Sequence, residues 1–278
     1  MRPATADEVH EPFAAGVIRE RVAIATPRGE FAGELAYPAR GAPRFAALLA
    51  GPHPYMGGTM RHALIGAIGD ELATRGGVSL RFDYGDLSGI DVAASMARFW
   101  ETGHAPEDAQ RLDAAADAAS FLIHCAPPAA RRLVMVGYSF GCHVAWRLWL
   151  DRRVPRHAVT EVVLISPTMT RHEFVWPDAT TGEVPRMLVI HSADDFATPL
   201  TAVKNWVDSA NRAHADRQSP NGRAAEVDFS ASTSVAVSLA EMPAGNHFFR
   251  GSETDIAAIA GDFAARACTA GGGPEAAT

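Results

Sequence analysis

Cysteine is scarce in this 278-residue chain. Its three residues, Cys125, Cys142 and Cys268, are too few and too scattered for a disulfide framework or a cysteine zinc site. Cys142 opens an apolar helical stretch and reads as a reduced core thiol. No uninterrupted apolar run approaches membrane-spanning length, so no membrane role is expected. The opening "MRPATADEVHEPFAAG" carries acids and prolines but no apolar core, unlike a signal peptide, and the expectation is a cytoplasmic location. Lys and Arg form no basic cluster and the net charge is -7, which argues against a nucleic-acid partner. Internal repeats and low-complexity blocks are also missing. What remains is ordinary globular composition, 47% hydrophobic and 21% charged, at a length that suits one large core.

Residues 1–15 and 269–278 read as flexible ends around a domain of residues 16–268. "VIRERVAIAT" and "FAGELAYPA" alternate apolar and polar residues across "PRGE", which predicts an antiparallel strand pair. "FAALLAG" is a continuous apolar run, expected of a strand buried on both faces. Strand and helix then alternate. "VSLRFDY", "RLVMVGY", "EVVLISP", "RMLVIHS" and "SVAVSLAEMP" read as strands, with helices between them and a last one carrying Ile256, Ile259 and Phe263. A helix over 107–125 is predicted to bury Leu112, Ala116, Ala119 and Ile123. The pattern is α/β, with a mostly parallel sheet, antiparallel strands at the N-terminus and helices on both faces. In such sheets, sites gather at the carboxyl ends of the strands.

At one of those ends stands Gly137-Tyr138-Ser139-Phe140-Gly141, between a buried strand and a buried helix. That is the setting of a nucleophile elbow, where a sharp turn holds a serine in a strained conformation and only small flanking residues fit. The other reading is a tight turn with one polar residue. In an elbow the Phe140 N–H points where an oxyanion would form. A serine needs a base to take its proton and an acid to orient the base, in the chain order Ser, acid, His. Asp194 and Asp195 follow a strand downstream, and the D-x-x-x-P ending favours Asp195. Of eleven histidines, only His214 and His247 come after these acids. His214 lies on a charged helical face, whereas His247 follows the last strand and a glycine turn. A second oxyanion donor would come from "AGPHPYMGGTM", where Pro52 and Pro54 have no N–H, leaving His53 or Tyr55, with His53 preferred by position. Gly57-Gly58 in the same loop would suit a phosphate loop, but no Walker lysine follows.

Two long segments, about 86–108 and 168–185, are expected to cover the site as short cap segments. Phe99, Trp100, Phe174 and Trp176, with Tyr55 and Met56, are candidate substrate-binding walls. The alternative is that these aromatics only pack their own segments down.

In five pieces, "GPHPYMGGTM", "LRFDYGDLSG", "GYSFGCHVA", "VIHSADDFATP" and "AGNHFFRG", the chain resembles the α/β-hydrolases, in particular the small bacterial dienelactone-hydrolase and serine-aminopeptidase-like branch, over about residues 17 to 268. It departs from that pattern in the short "YGDLSG" and in Gly51-Pro52. The resemblance implies a catalytic triad of Ser139, Asp195 and His247, an acyl-enzyme on Ser139, a small-molecule acyl substrate, and neither metal nor organic cofactor. A cysteine at the elbow would have matched dienelactone hydrolase itself; the serine points to esters, thioesters or amides. Two other readings stay open: an acyltransferase, cyclase or thioesterase of a biosynthetic pathway using the same three residues, and a non-catalytic binding protein on the same scaffold. Nothing in the sequence specifies an oligomeric state.

Overall fold

The computed structural model describes residues 16–27, 29–85, 90–177, 184–218 and 236–269. Of the predicted flexible ends, 1–15 and 269–278, residues 1–15 and 270–278 lie outside the described residues, as do 86–89 and 178–183 of the two cover segments. Strands β1 (Val17–Thr26) and β2 (Gly29–Pro38) form the expected antiparallel hairpin, in register from Val17 opposite Pro38 to Thr26 opposite Gly29. The remaining strands are β3 (Phe45–Ala50), β4 (Gly77–Phe82), β5 (Leu133–Tyr138), β6 (Val159–Ile165), β7 (Arg186–Ser192) and β8 (Val237–Met242). They join one eight-stranded sheet in the order β1-β2-β4-β3-β5-β6-β7-β8, in which β2 is antiparallel to both its neighbours and every pair from β4 to β8 is parallel.

The helices are α1 (Ala63–Thr74), α2 (Val92–Thr102), α3 (Asp108–Cys125), α4 (Phe140–Leu150), α5 (Leu200–Gln218) and α6 (Glu253–Thr269). The sheet separates two cores, and β3 shows how. Its Phe45, Ala47 and Leu49 join the cluster with Leu64, Ile68 and Leu72 of α1 and Ile256 and Ala260 of α6. Its Ala46, Leu48 and Ala50 face the opposite cluster, with Ala118 of α3, Trp146 of α4 and Val203 of α5. Side chains two residues apart share a face of a strand, so a strand covered by helices on both sides must be apolar at every position.

The expected inner face of one helix is corrected. Helix α3 buries Arg111, Ala115, Ala118, Ala119 and Leu122, while Leu112 and Ala116 are only half-buried and Ile123 is exposed. The inner face is one step round from the stripe of large apolar residues. Alanines let α3 approach the sheet closely, and Arg111 can be buried because its guanidinium donates to the Tyr84 carbonyl at 2.9 Å. The segment after β4, expected as cover, contains α2. Asp91 caps it by accepting the Ala94 N–H at 3.0 Å, and Gly103 ends it at φ 80°. The last helix reaches Thr269, one residue past the expected domain end.

Candidate active site

Strand β5 delivers Ser139 to the carboxyl edge of the sheet, and α4 begins at the next residue. Ser139 has φ 58° and ψ -119°, a conformation costing about 1–3 kcal/mol that persists only where its surroundings enforce it. Its own N–H is fixed by donation to the Ile165 carbonyl at 2.9 Å. The flanking glycines are a matter of space. A Cβ on Gly137 would fall 2.3 Å from the Gly141 carbonyl oxygen, and one on Gly141 would fall 1.9 Å from that of Ala50. Strand β3 therefore lies against the turn closely enough that no side chain fits between them.

The Ser139 Oγ is 2.8 Å from His247 Nε2. On the other side of that imidazole, Nδ1 is 3.0 Å from Asp195 Oδ2 and 3.2 Å from Oδ1. Donation from Nδ1–H to the carboxylate leaves Nε2 as the acceptor for the serine hydroxyl. Asp195 follows β7 and is buried, and its Oδ1 also accepts the N–H groups of Ala197 at 2.7 Å and Thr198 at 3.1 Å. Burial alone would raise its pKa, but the hydrogen bond and charge of His247 hold it below the ordinary carboxylate value. Asp194 plays a different part. It is exposed and accepts the Asn246 N–H at 2.8 Å as well as the Ser192 hydroxyl, so it braces the loop that carries His247. The same loop is fixed from below by Tyr138, whose hydroxyl donates to the His247 carbonyl at 2.8 Å. Asn246 at φ 44° and Phe249 at φ 52° bend it, and Phe249 is fully buried.

The loop after β3 lies across the turn. Tyr84 donates its hydroxyl to the Gly51 carbonyl at 2.9 Å, and Asp83 accepts the Met60 N–H at 2.7 Å, so the "FDY" motif holds both ends of this loop. The buried His53 ring accepts the Tyr55 N–H on Nδ1 at 3.2 Å and lies 3.0 Å from Asp108 Oδ1 through Nε2. The Tyr55 N–H is therefore already engaged. The backbone N–H groups of His53 and Phe140 have no acceptor among the described residues. Tyr55 itself is buried, with its hydroxyl 3.4 Å from Arg111 Nη2 and donating to Glu107 in a close contact.

The candidate walls divide. Phe174 is buried between His143 and Trp206, at ring separations of 6.4 and 6.2 Å. Trp176 stacks on Trp146 at 6.0 Å and meets Trp206 edge-on at 6.0 Å, in a cluster that pins its segment to α4 and α5. Each such aromatic pair is worth about 0.5–1.5 kcal/mol beyond its burial. Trp100 is 55% exposed with Arg171 over its ring, while Phe99 turns inward against His53 at 5.7 Å. Met56 is exposed.

Two groups went unnoticed in the sequence. The rings of His143 and His172 lie 4.5 Å apart, tilted by 31°, and His172 is also 5.6 Å from the Phe140 ring. Burial, reinforced by His172, pushes His143 down to about 3, and burial pushes His172 down to about 4 despite Asp108 nearby. The second group is Phe196 and Phe248, whose rings lie 5.4 and 5.9 Å from that of His247. No set of three or more His, Cys, Asp or Glu able to hold a metal occurs among the described residues. A cavity of about 470 Å³ between the β1–β2 hairpin and α3 is lined by Glu30, Phe31, Arg111 and Asp117; Ser139, Asp195 and His247 do not line it.

This sheet order, with a strained serine at the β5–α4 turn, is the architecture of the α/β-hydrolases, and the chain has that fold. It is similar in structure to a protein of unknown function from Agrobacterium tumefaciens, itself proposed to be an α/β-hydrolase, at TM-score 0.66 and 21% identity, covering 92% of this chain and 100% of that one. A lidless α/β serine hydrolase from Xanthomonas campestris superposes at TM-score 0.62 with 17% identity over 92% and 97% of the two chains. A dienelactone hydrolase from Anabaena variabilis does so at 0.60 with 16% identity over 89% and 96%. No protein-family model matches the sequence, and no curated protein does.

Proposed function

We infer that the protein is a serine hydrolase that cleaves a small ester or thioester through an acyl-enzyme on Ser139. The observation that carries this reading is the continuous hydrogen-bonded relay from Asp195 through His247 to a serine held at φ 58°. Strain and orientation at one hydroxyl serve no packing purpose, and a binding scaffold without chemistry would need neither.

His247 Nε2 takes the Ser139 proton as Oγ attacks the carbonyl carbon. Asp195 keeps Nδ1–H in place and stabilises the imidazolium that forms; general base catalysis of this kind contributes about 10²–10⁴-fold. The charge that develops on the carbonyl oxygen is met by the N–H groups of Phe140 and His53, the latter taken in preference to Tyr55 because the Tyr55 N–H is engaged by the His53 ring. Each such donor is worth about 3 kcal/mol. The tetrahedral intermediate collapses as His247 returns the proton to the leaving oxygen or sulfur. Water, deprotonated by the same histidine, then releases the acid and restores Ser139.

The free thiols of Cys125 and Cys142 suit a reducing compartment, which supports a cytoplasmic location. No helix among the described residues is long and apolar enough to cross a membrane.

A fluorophosphonate tests the reading. Intact mass of the treated protein is expected to rise by one adduct, absent from Ser139→Ala and formed at least about a hundredfold more slowly by His247→Ala. An unlabelled wild type, or an adduct that survives Ser139→Ala, overturns it.

A further inference from the structure

We propose that Phe196 and Phe248 form the leaving-group subsite of this centre, and that the group expelled is a neutral aryl or arylalkyl alcohol or thiol. This rests on the serine-hydrolase reading and supplies the half of the substrate that reading leaves open.

Phe196 is 69% exposed and Phe248 44%, yet neither is on a slack loop. Phe196 sits between Asp195 and the Ala197 and Thr198 N–H groups that bind the Asp195 carboxylate. The Phe248 N–H donates to Asn246 Oδ1 at 2.8 Å, and Phe249, its neighbour, is fully buried. Both backbones are thus committed to holding a phenyl ring in water. The two rings lie 5.6 Å apart, and both flank the His247 imidazole. Apolar surface held out on fixed turns marks a place where an apolar group binds.

The chemistry decides which group. In the tetrahedral intermediate, the oxyanion faces the Phe140 and His53 N–H groups. The bond from carbon to the leaving oxygen or sulfur then breaks, its electron pair passes to that atom, and the atom takes from His247 Nε2 the proton that came from Ser139. The leaving atom must therefore be within about 3 Å of the imidazole. Whatever it carries extends over the surroundings of His247, which are these two rings. On the oxyanion side, by contrast, His53, Phe99 and Phe140 are all buried. The apolar surface of the two rings disfavours a charged leaving group, and the Arg250 guanidinium, 5.7 Å from the Phe248 ring centre, adds to this for a cationic one.

The test compares methyl and benzyl butyrate, whose alcohols are closely matched in acidity, on the full chain. The wild type is expected to prefer the benzyl ester in kcat/KM by about tenfold or more, the discrimination a hydrophobic contact supplies. Phe196→Ala/Phe248→Ala should bring the ratio close to one, and Phe196→Leu/Phe248→Leu should retain part of it, with thermal melting confirming folded protein. A wild type without the preference, variants that keep it, or equal losses on both esters overturn the proposal, the last by assigning the rings to support of His247 alone. Cleavage of neither ester by a protein whose Ser139 still takes the fluorophosphonate overturns it too. Absence of that adduct from the wild type is the separate failure of the hydrolase reading.

Discussion

His53 Nε2 lies 3.0 Å from Asp108 Oδ1, a bond that ties the loop after β3 to the first turn of α3. Because Nδ1 of the same ring accepts the Tyr55 N–H, the proton must be on Nε2 and the Asp108 carboxylate must accept it. The ring thereby engages the Tyr55 N–H and leaves that of His53 without an acceptor among the described residues.

Removing that acceptor should loosen the oxyanion loop without touching the serine. Asp108→Ala is expected to lower kcat by about tenfold or more with little change in KM, since oxyanion contacts act mainly in the transition state. Asp108→Asn keeps an acceptor for Nε2–H but turns its amide NH2 toward the Ala105 N–H that Oδ2 accepts at 2.9 Å, and should recover only part of the loss. Steady-state kinetics on an ester cleaved by the wild type checks both, and an equal defect in the two variants would remove the ring from this role.

Neighbouring aspartates should behave differently. Asp195→Asn leaves His247 without a charged partner at Nδ1 and should reduce kcat by about a thousandfold or more. Asp194→Asn can still accept the Asn246 N–H and should cost less than about tenfold. The reverse order in measured kcat would exchange their assignments.

Acid should weaken the fold through the buried imidazoles. His172 is held to about 4 and His143 to about 3, below the free value of 6.5. Between the folded values and 6.5 the unfolded chain binds more protons, so their contribution is complete above pH 6.5 and is lost progressively as pH falls. The melting temperature is expected to drop by several degrees from pH 7 to pH 5. His172→Phe has no proton to take up there and should show a distinctly smaller drop in the same scan; an equal drop would assign the acid sensitivity elsewhere.

How much of this was legible in the sequence depended on the kind of signal. Fully apolar strands such as "FAALLAG" announce a sheet covered on both faces, and glycines at Gly137 and Gly141 mark a turn that admits no side chain. Local patterns of that sort survive folding because they are consequences of backbone geometry. The inner face of α3 was misplaced because alanine contributes little to a hydrophobic stripe and a buried arginine counts against one. Helix α2 went unread because its exposed surface carries Trp100, and its buried side offers little besides Ser95 and Phe99. The aromatic pair of Phe196 and Phe248 comes from turns far apart in the chain, and so does the pair of His143 and His172. Each gains its meaning only from a neighbour that the sequence order does not supply.

The hydrogen bond between Ser139 and His247 spans 108 positions of chain. A nascent polypeptide that has already formed β5 and the turn after it still lacks its base, and acquires it only when the strand beside β7 and the following loop have been synthesised and docked. Reactivity at Ser139 would thus report completed folding, and a chain stalled or cut before β8 would be inert even with most of its core in place.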